Sequence, residues 1–398
     1  MMKRKKGNFP ILTLKKPLRR AILAGHPWVY RDALKEDSLK NLREGFVELH
    51  DREGFLAYGL YDPTRPIAVR IVSRDPEELP GEALFYERII QAVQLRRAVI
   101  PEGVEAYRMI HGEADGLPGV VVDRYGEIAV LRSDGPGVQR MVKEVARILE
   151  GMKSELQISA LLHRRSRGDI TGSRAELLFG KLPPLPIWVR EYGIWLEVNP
   201  LHGQKTGLFL DQRENRRRIA ELRVRGPTLN LFAYNGGFGI SAVKAGAEEV
   251  IEVDISKEAR ESSIRAFARN RIDAVHTYLI ADLFSGFPDE VRKKRYQLII
   301  LDPPSLAPNE ESVPRAKKAY LYLLTESLKL LEEGGILAAS SCSSHIRREA
   351  FLGLISKAGL ITGRSLRILG SFGAGPDHPI LPSFPEGDYL KFILLEAR

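Results

Sequence analysis

One cysteine, Cys342, stands in the run Ala338-Ala339-Ser340-Ser341-Cys342-Ser343-Ser344-His345, directly after Glu332-Glu333-Gly334-Gly335-Ile336-Leu337. The order reads as a helix end, a tight turn, a short apolar strand, and a thiol at that strand's carboxyl end. In open α/β sheets ligands bind outside that edge. Upstream, Leu298-Ile299-Ile300-Leu301-Asp302-Pro303-Pro304-Ser305 is a second apolar run that ends in a carboxylate and a Pro-Pro turn. A thiol and a carboxylate carried to one edge of one sheet make a candidate nucleophile and its helper. The plain alternatives are a small buried hydrophobe for Cys342 and a turn cap ahead of Pro303 for Asp302.

Three further features belong to the same pattern. The run Thr228-Leu229-Asn230-Leu231-Phe232-Ala233-Tyr234-Asn235-Gly236-Gly237-Phe238-Gly239 is a strand, a glycine-rich turn and a helix start. Glycines there let backbone pass close to a ligand at a helix N-terminus. The spacing is not G-x-G-x-x-G, so a dinucleotide pyrophosphate is disfavoured. Asp254 and Ile255 end Val250-Ile251-Glu252-Val253-Asp254-Ile255, where an acid is placed to take ribose hydroxyls. Asp282 and Leu283 end Leu279-Ile280-Ala281-Asp282-Leu283-Phe284, where a carboxylate suits an adenine amino group. Acids at three successive strand ends, Asp254, Asp282 and Asp302, suit a ribose, a base and a reacting centre. S-adenosylmethionine (SAM) fits this set better than NAD.

Such side chains need a scaffold that brings strand ends together. Strand-like runs at 228–232, 249–253, 276–280, 297–301 and 336–340 alternate with helical stretches, which predicts a mostly parallel α/β sheet with helices on both faces. Earlier, short strand-like runs at 45–50, 55–61 and 67–72, separated by turn residues, predict a small β-barrel or sandwich. Between these parts lies an α+β unit, with a helix at 83–100, a Gly-rich turn and hairpin at 111–131, a helix at 137–151 and strands at 156–162 and 176–179. Pro183-Pro184-Leu185-Pro186 reads as a stiff linker.

The chain of 398 residues carries 60 Lys and Arg against 51 acidic residues, a net charge of +9 that suits a polyanionic partner. Basic clusters at 3–6, 15–20, 163–167 and 213–218 read equally as solvated faces or as RNA contacts. One cysteine excludes an internal disulfide framework and fits a reducing compartment. No apolar run approaches the roughly 18 residues that span a bilayer, and the basic start Met1-Met2-Lys3-Arg4-Lys5-Lys6 lacks an apolar stretch behind it. A cytoplasmic protein with no membrane partner is expected.

Four motifs carry a resemblance over nearly the whole chain: Gly203-Gln204-Lys205-Thr206-Gly207-Leu208-Phe209-Leu210-Asp211-Gln212-Arg213-Glu214-Asn215-Arg216, the 229–239 turn, Leu301-Asp302-Pro303-Pro304-Ser305 and Ser341-Cys342-Ser343. They resemble the class I SAM-dependent 23S rRNA cytosine-5 methyltransferases with an N-terminal PUA domain. His26-Pro27-Trp28-Val29-Tyr30 resembles the PUA opening, and 111–123 the middle-domain signature. Asn235 stands where relatives often carry Thr. The resemblance implies a PUA-like RNA-binding domain at 1–76, an α+β middle domain at 77–185 and a Rossmann-like methyltransferase domain at 186–398. It also implies 23S rRNA or a large-subunit precursor as partner, and often a dimer. Asp211, Gln212 and Arg213 would close over the cofactor and substrate pocket, with Arg213 on the SAM carboxylate or an RNA phosphate; a cap of the following helix fits Asp211 as well.

Cytosine carbon 5 is too weak a nucleophile to take a sulfonium methyl unaided. A thiolate added at carbon 6 makes it enamine-like. Cys342 is the one candidate for that thiolate, and Asp302 would hold cytosine N3 and its amino group. The competing readings are a guanine or adenine N-methyltransferase, which needs no thiol, and an inactive RNA-binding ribosome-assembly protein.

Overall fold

The computed structural model describes residues 9–165 and 175–398. The basic cluster at 3–6 and residues Ser166 and Arg167 lie outside the described residues. The described chain forms two compact units. One holds residues up to Ile187 with Val198–Leu208 and Pro376–Pro385; the other holds Trp188–Glu197, Phe209–Gly375 and Glu386–Arg398.

The first unit opens with β1 (Ile11–Thr13), α1 (Arg19–Leu23), β2 (Trp28–Tyr30), β3 (Gly45–Asp51), β4 (Gly54–Tyr61) and β5 (Ile67–Ser73). These strands form one five-stranded sheet in the order β1-β3-β4-β5-β2, with β1 parallel to β3 and the other pairs antiparallel. The expected barrel or sandwich is thus a single mixed sheet, to which the short strands β1 and β2 add its two edges. The α+β part follows with α2 (Glu82–Val99), β6 (Ala106–His111), β7 (Val120–Tyr125), β8 (Ile128–Ser133), α3 (Gln139–Gly151), α4 (Lys153–Leu156), β9 (Ala160–Arg164) and β10 (Ala175–Gly180). Its sheet runs β10-β9-β8-β7-β6. The strand expected at 156–162 begins only at Ala160, because Leu156 closes α4 and Gln157 turns left-handed at φ 51°.

The two sheets of this unit share apolar packing: Phe46, Leu60 and Val72 join Phe85, Ile89, Ile110 and Leu131 in one buried cluster. Their polar seam is also joined. Glu113 accepts from the Trp28 indole at 2.8 Å and from Arg70, which also pairs with Asp134.

The second unit contains β11 (Ile187–Glu191), β12 (Ile194–Val198), α5 (Arg213–Ala220), β13 (Thr228–Leu231), α6 (Gly237–Lys244), β14 (Glu249–Asp254), α7 (Lys257–Arg269), β15 (Val275–Ile280), α8 (Asp289–Arg292), β16 (Tyr296–Leu301), α9 (Val313–Leu330), β17 (Leu331–Ser341), α10 (Arg348–Thr362), β18 (Leu366–Phe372) and β19 (Lys391–Ala397). Its seven-stranded sheet runs β15-β14-β13-β16-β17-β19-β18. The first five strands are parallel and β19 is antiparallel to both its neighbours. This is a Rossmann-like sheet, mostly parallel as expected, with an antiparallel edge.

Strand alternation divides the two faces. Leu229, Leu231, Ile251, Val253, Ile299 and Leu301 meet the buried stripe Ala316, Tyr320, Leu323, Leu324 and Leu328 of α9 and Phe351, Ile355 and Ala358 of α10. That spacing of three and four residues is the helical period that puts one face against a core. The residues between point the other way. Asn230 and His276 both bond Glu252, which also accepts from Ser263 of α7, and Phe267 of α7 stacks on His276 at 3.6 Å. Helices therefore cover both faces.

Candidate active site

Parallel register brings the chemistry to one level. Leu231 is paired with Val253 and with Leu301, and Leu301 with Ala339. One residue further along each strand stand Phe232, Asp254, Asp302 and Ser340. Asp254 is paired with Ile280, so Asp282 lies two residues beyond the same edge. Cys342 follows Ser340 by two and is half-buried.

The acid is held by an amide. Asp302 Oδ1 accepts from Gln212 Nε2 at 2.8 Å, and the second hydrogen of that amide goes to Ser340 Oγ at 2.9 Å. Gln212 Oε1 accepts from Asn215 Nδ2 at 2.6 Å. Every polar atom of this buried Gln212 side chain is used, which fixes its orientation. Neighbouring Asp211 accepts from the Tyr389 hydroxyl at 2.7 Å.

The thiol sits over the Pro-Pro turn, with Sγ 3.9 Å from the Pro303 carbonyl oxygen. Ser343 ties the two loops together. Its buried hydroxyl accepts the Leu306 and Ala307 N–H groups at 2.9 and 3.2 Å and meets the Tyr320 hydroxyl at 3.0 Å. Burial pushes the Tyr320 phenol up to about 12, so it stays neutral and can donate.

The glycine turn is strained. Phe232 and Tyr234 lie at φ 60° and 50°, and Gly236 at 80°. Non-glycine residues held there cost on the order of 1–3 kcal/mol each, and such strain gathers at ligand loops. Asp254 holds the loop: Oδ2 accepts the Tyr234 N–H and Oδ1 the Ser256 N–H, both at 3.0 Å. The Tyr278 hydroxyl donates to the Tyr234 carbonyl at 2.9 Å, and burial, with Asp254 and Glu252 nearby, raises that phenol well above its ordinary value. Asn235 is buried and donates to the Glu197 carbonyl at 3.2 Å, while Ala233 is also buried.

The glycines have a different reason from the one expected. A Cβ on Gly236 would stand 2.4 Å from Ser263 Oγ, and one on Gly239 2.3 Å from Glu252 Oε1. Both face the packed Glu252 network. Gly237 faces Arg216 Cδ at 3.0 Å. Close helix-to-sheet packing, as well as any ligand, demands glycine here.

Ile255 is 68% exposed beside Asp254, an apolar side chain open to a ligand's ring. Asp282 is exposed, and its oxygens bond the Phe284 N–H and the Ser285 hydroxyl, both at 2.9 Å. A carboxylate next to an exposed apolar side chain, at the foot of a strained loop, is a donor set that fits the ribose and base of SAM. Leu283, beside Asp282, is 1% exposed and packs in the core against α9. Arg213 is fully buried, and its side chain donates to Glu214 at 3.2 Å. The other arginines of the 213–218 cluster have partners within the fold. Arg216 pairs bidentately with buried Glu191, Arg217 with Glu214 and Glu221, and Arg218 lies over Phe372 at 4.2 Å.

Ser340, Ser343, Asn215, Tyr320, Tyr389 and Lys391 escaped the sequence reading. Ser343 lies in the Ser-Cys-Ser run, Ser340 just before it and Asn215 in the 203–216 motif, but nothing local marks Tyr320, Tyr389 or Lys391.

A model of the SAM-dependent methyltransferase family matches residues 152–359, and one of a PUA-like domain matches 12–74. The chain is 36% identical over 384 residues to a ribosomal RNA large subunit methyltransferase of Deinococcus radiodurans, covering 94% of this chain and 93% of that one. It is 32% identical to ribosomal RNA large subunit methyltransferase I of Escherichia coli, covering 96% and 97%. A Streptococcus mutans protein assigned as a SAM-dependent methyltransferase shares the fold at TM-score 0.83 and 21% identity, over 97% of this chain and 99% of that one. A related methyltransferase structure complexed with SAH matches at TM-score 0.82 and 22% identity, over 97% and 99%. The chain therefore belongs to the SAM-dependent methyltransferases that carry a PUA-like domain, the family of the ribosomal RNA large subunit methyltransferases it matches along almost its full length.

Proposed function

We propose that this protein methylates carbon 5 of a cytosine in 23S rRNA or a large-subunit precursor, with Cys342 as nucleophile and Asp302 as its acid–base partner. The observation that carries the reading is the half-buried thiol lying two residues past Ser340, at the strand-end level of Asp302. The names of the relatives support large-subunit rRNA as the substrate class.

The Cys342 thiolate adds to carbon 6, forming a C–S bond, and the ring's double-bond electrons shift so that carbon 5 becomes nucleophilic. Asp302 supplies a proton toward cytosine N3 and holds the amino group, while Gln212 keeps its carboxyl oriented. SAM, when bound, supplies the electrophilic methyl group. Water takes the carbon 5 proton, the electrons of that bond re-form the ring double bond, the N3 proton returns to Asp302, and the C–S bond breaks to restore the thiolate. In this reading SAM is held by the backbone of 232–237, by Asp254 and Ile255, and by Asp282, with Asp211 and Gln212 closing over the site. Residues 1–76 and 77–185 hold RNA, 186–398 carry the chemistry, and the assembly is a homodimer, which sedimentation tests. A base paired in a stem must be unstacked to reach the thiol.

RNA carrying 5-fluorocytosine at the target should trap a covalent complex with the wild type, because fluorine does not leave as a proton does. Cys342→Ala should trap nothing and make no 5-methylcytosine, while still binding SAM. If the variant methylates at near wild-type rate, or nucleoside mass spectrometry finds an N-methyl base, the thiol is a packing residue and the cytosine-5 reading falls.

A further inference from the structure

Lys391 has no part in the chemistry as described so far, yet the sheet brings it to the strand that carries the thiol. It opens β19 directly opposite Ser341, the residue before Cys342. Its side chain is only 1% exposed. Nζ donates to the Ser343 carbonyl at 2.6 Å and to the Tyr389 carbonyl at 2.8 Å, both neutral acceptors. Among the described residues no carboxylate forms an ion pair with it. A buried ammonium with only carbonyl partners is costly unless a compensating charge forms close by. A thiolate at Cys342 is such a charge.

We propose that the Lys391 ammonium is the counter-charge that holds Cys342 as a thiolate, acting as a positioning residue for the nucleophile. On ionisation the S–H bond breaks heterolytically, the electron pair stays on sulfur and the proton passes to water; Lys391 keeps its own proton. Burial pulls the Lys391 ammonium down to about 8, and among the charges around it Cys342 is the main one favouring its protonated form, ahead of Asp388, with Arg348 opposing. The other groups at the thiol are Asp302, which works against a thiolate whenever it has given up the proton it supplies to cytosine, and the neutral Tyr320 phenol, which feels both. His345, three residues on, is engaged with the Ala307 carbonyl. A lysine here offsets Asp302 and lets acid and thiolate coexist at one strand edge.

The inference rests on the reading of Cys342 as nucleophile, but its test needs neither RNA nor SAM. Cys342 is the only cysteine, so the mass of an iodoacetamide adduct on the whole protein reports that thiol alone. In the wild type, alkylation rate against pH should inflect below the ordinary thiol value of about 8.5. Lys391→Met, which removes the charge, and Lys391→Gln, which removes it but keeps a donor for the Ser343 carbonyl, should each move the inflection up by about one unit. A wild-type inflection at or above the ordinary value overturns the proposal, and this holds even where a variant does not fold. An unchanged profile in either folded variant also overturns it. A low inflection without 5-fluorocytosine trapping would remove the nucleophile reading and leave the Lys391 pairing standing.

Discussion

Asp254 binds backbone on both sides of the cofactor loop, the Tyr234 N–H with one oxygen and the Ser256 N–H with the other. Its truncation removes the proposed charge-assisted ribose acceptor and the anchor of a strained turn together. Asp254→Ala should therefore weaken SAM binding at least tenfold, about 1.4 kcal/mol, by calorimetry; an unchanged dissociation constant would refute the assignment. Ser343 has a structural counterpart role. Ser343→Ala leaves the Leu306 and Ala307 N–H groups and the Tyr320 hydroxyl without their shared partner. Leaving buried donors unsatisfied costs about 1–3 kcal/mol, so the urea midpoint should fall accordingly, and a midpoint equal to wild type would show that the loops do not depend on it. The strand-end placement of Cys342, Asp302 and Asp254 was legible in the sequence because each follows or ends an apolar run. Ser343 was not, because its three partners arrive from two other segments.

At the level of elements, the turn between β13 and α6 is shaped as much by its neighbour strand as by a ligand. Glu252 is fully buried and held by Asn230, Ser263 and His276, so it cannot retreat from a methyl group placed on Gly239. Gly239→Ala should cost about 1–3 kcal/mol of stability, as overpacking does, seen as a lower thermal midpoint with SAM affinity less affected than in Asp254→Ala. A midpoint unchanged within error would mean that Glu252 yields. Local pattern told correctly that strand, glycine turn and helix follow one another. It could not tell which glycine faces the sheet, because that depends on β14 lying beside β13. The same limit applies to α5. Six residues dense in arginine look like a solvated or RNA-facing helix, yet buried Glu191 and Glu214 claim Arg216 and Arg213.

Over the whole molecule, two titrating histidines give stability a pH dependence. Burial, with His378, Arg108 and Arg96 nearby, holds His111 well below its ordinary 6.5, and burial also lowers His163. Below that value the unfolded chain binds protons that the folded one refuses, so stability must fall as pH drops from about 7 toward 5.5. His111→Asn, which keeps an acceptor for Arg108, should flatten that slope in denaturant titrations at several pH values; an unaltered slope would place the effect elsewhere. RNA affinity should fall steeply with salt through counterion release, with exposed Lys15 and Arg20 as contributors. Lys15→Ala with Arg20→Ala should lower the salt slope in filter binding, and an equal slope would exclude that face. Point substitutions suit this test better than deleting the first sheet, since Phe46, Leu60 and Val72 complete the core of the next. The sequence by itself determined the alternation of strands and helices, and with it which residues must lie at the carboxyl edge, because a parallel sheet delivers every post-strand residue to the same side. Tertiary structure alone decided how they are held. Gln212 reaches Asp302 across 90 positions, Tyr389 reaches Asp211 across 178, and Lys391 comes to the Cys342 segment only through the antiparallel strand β19. Periodicity records which way a side chain faces within its own element, whereas these pairings depend on strand order and register, which no local run of residues encodes.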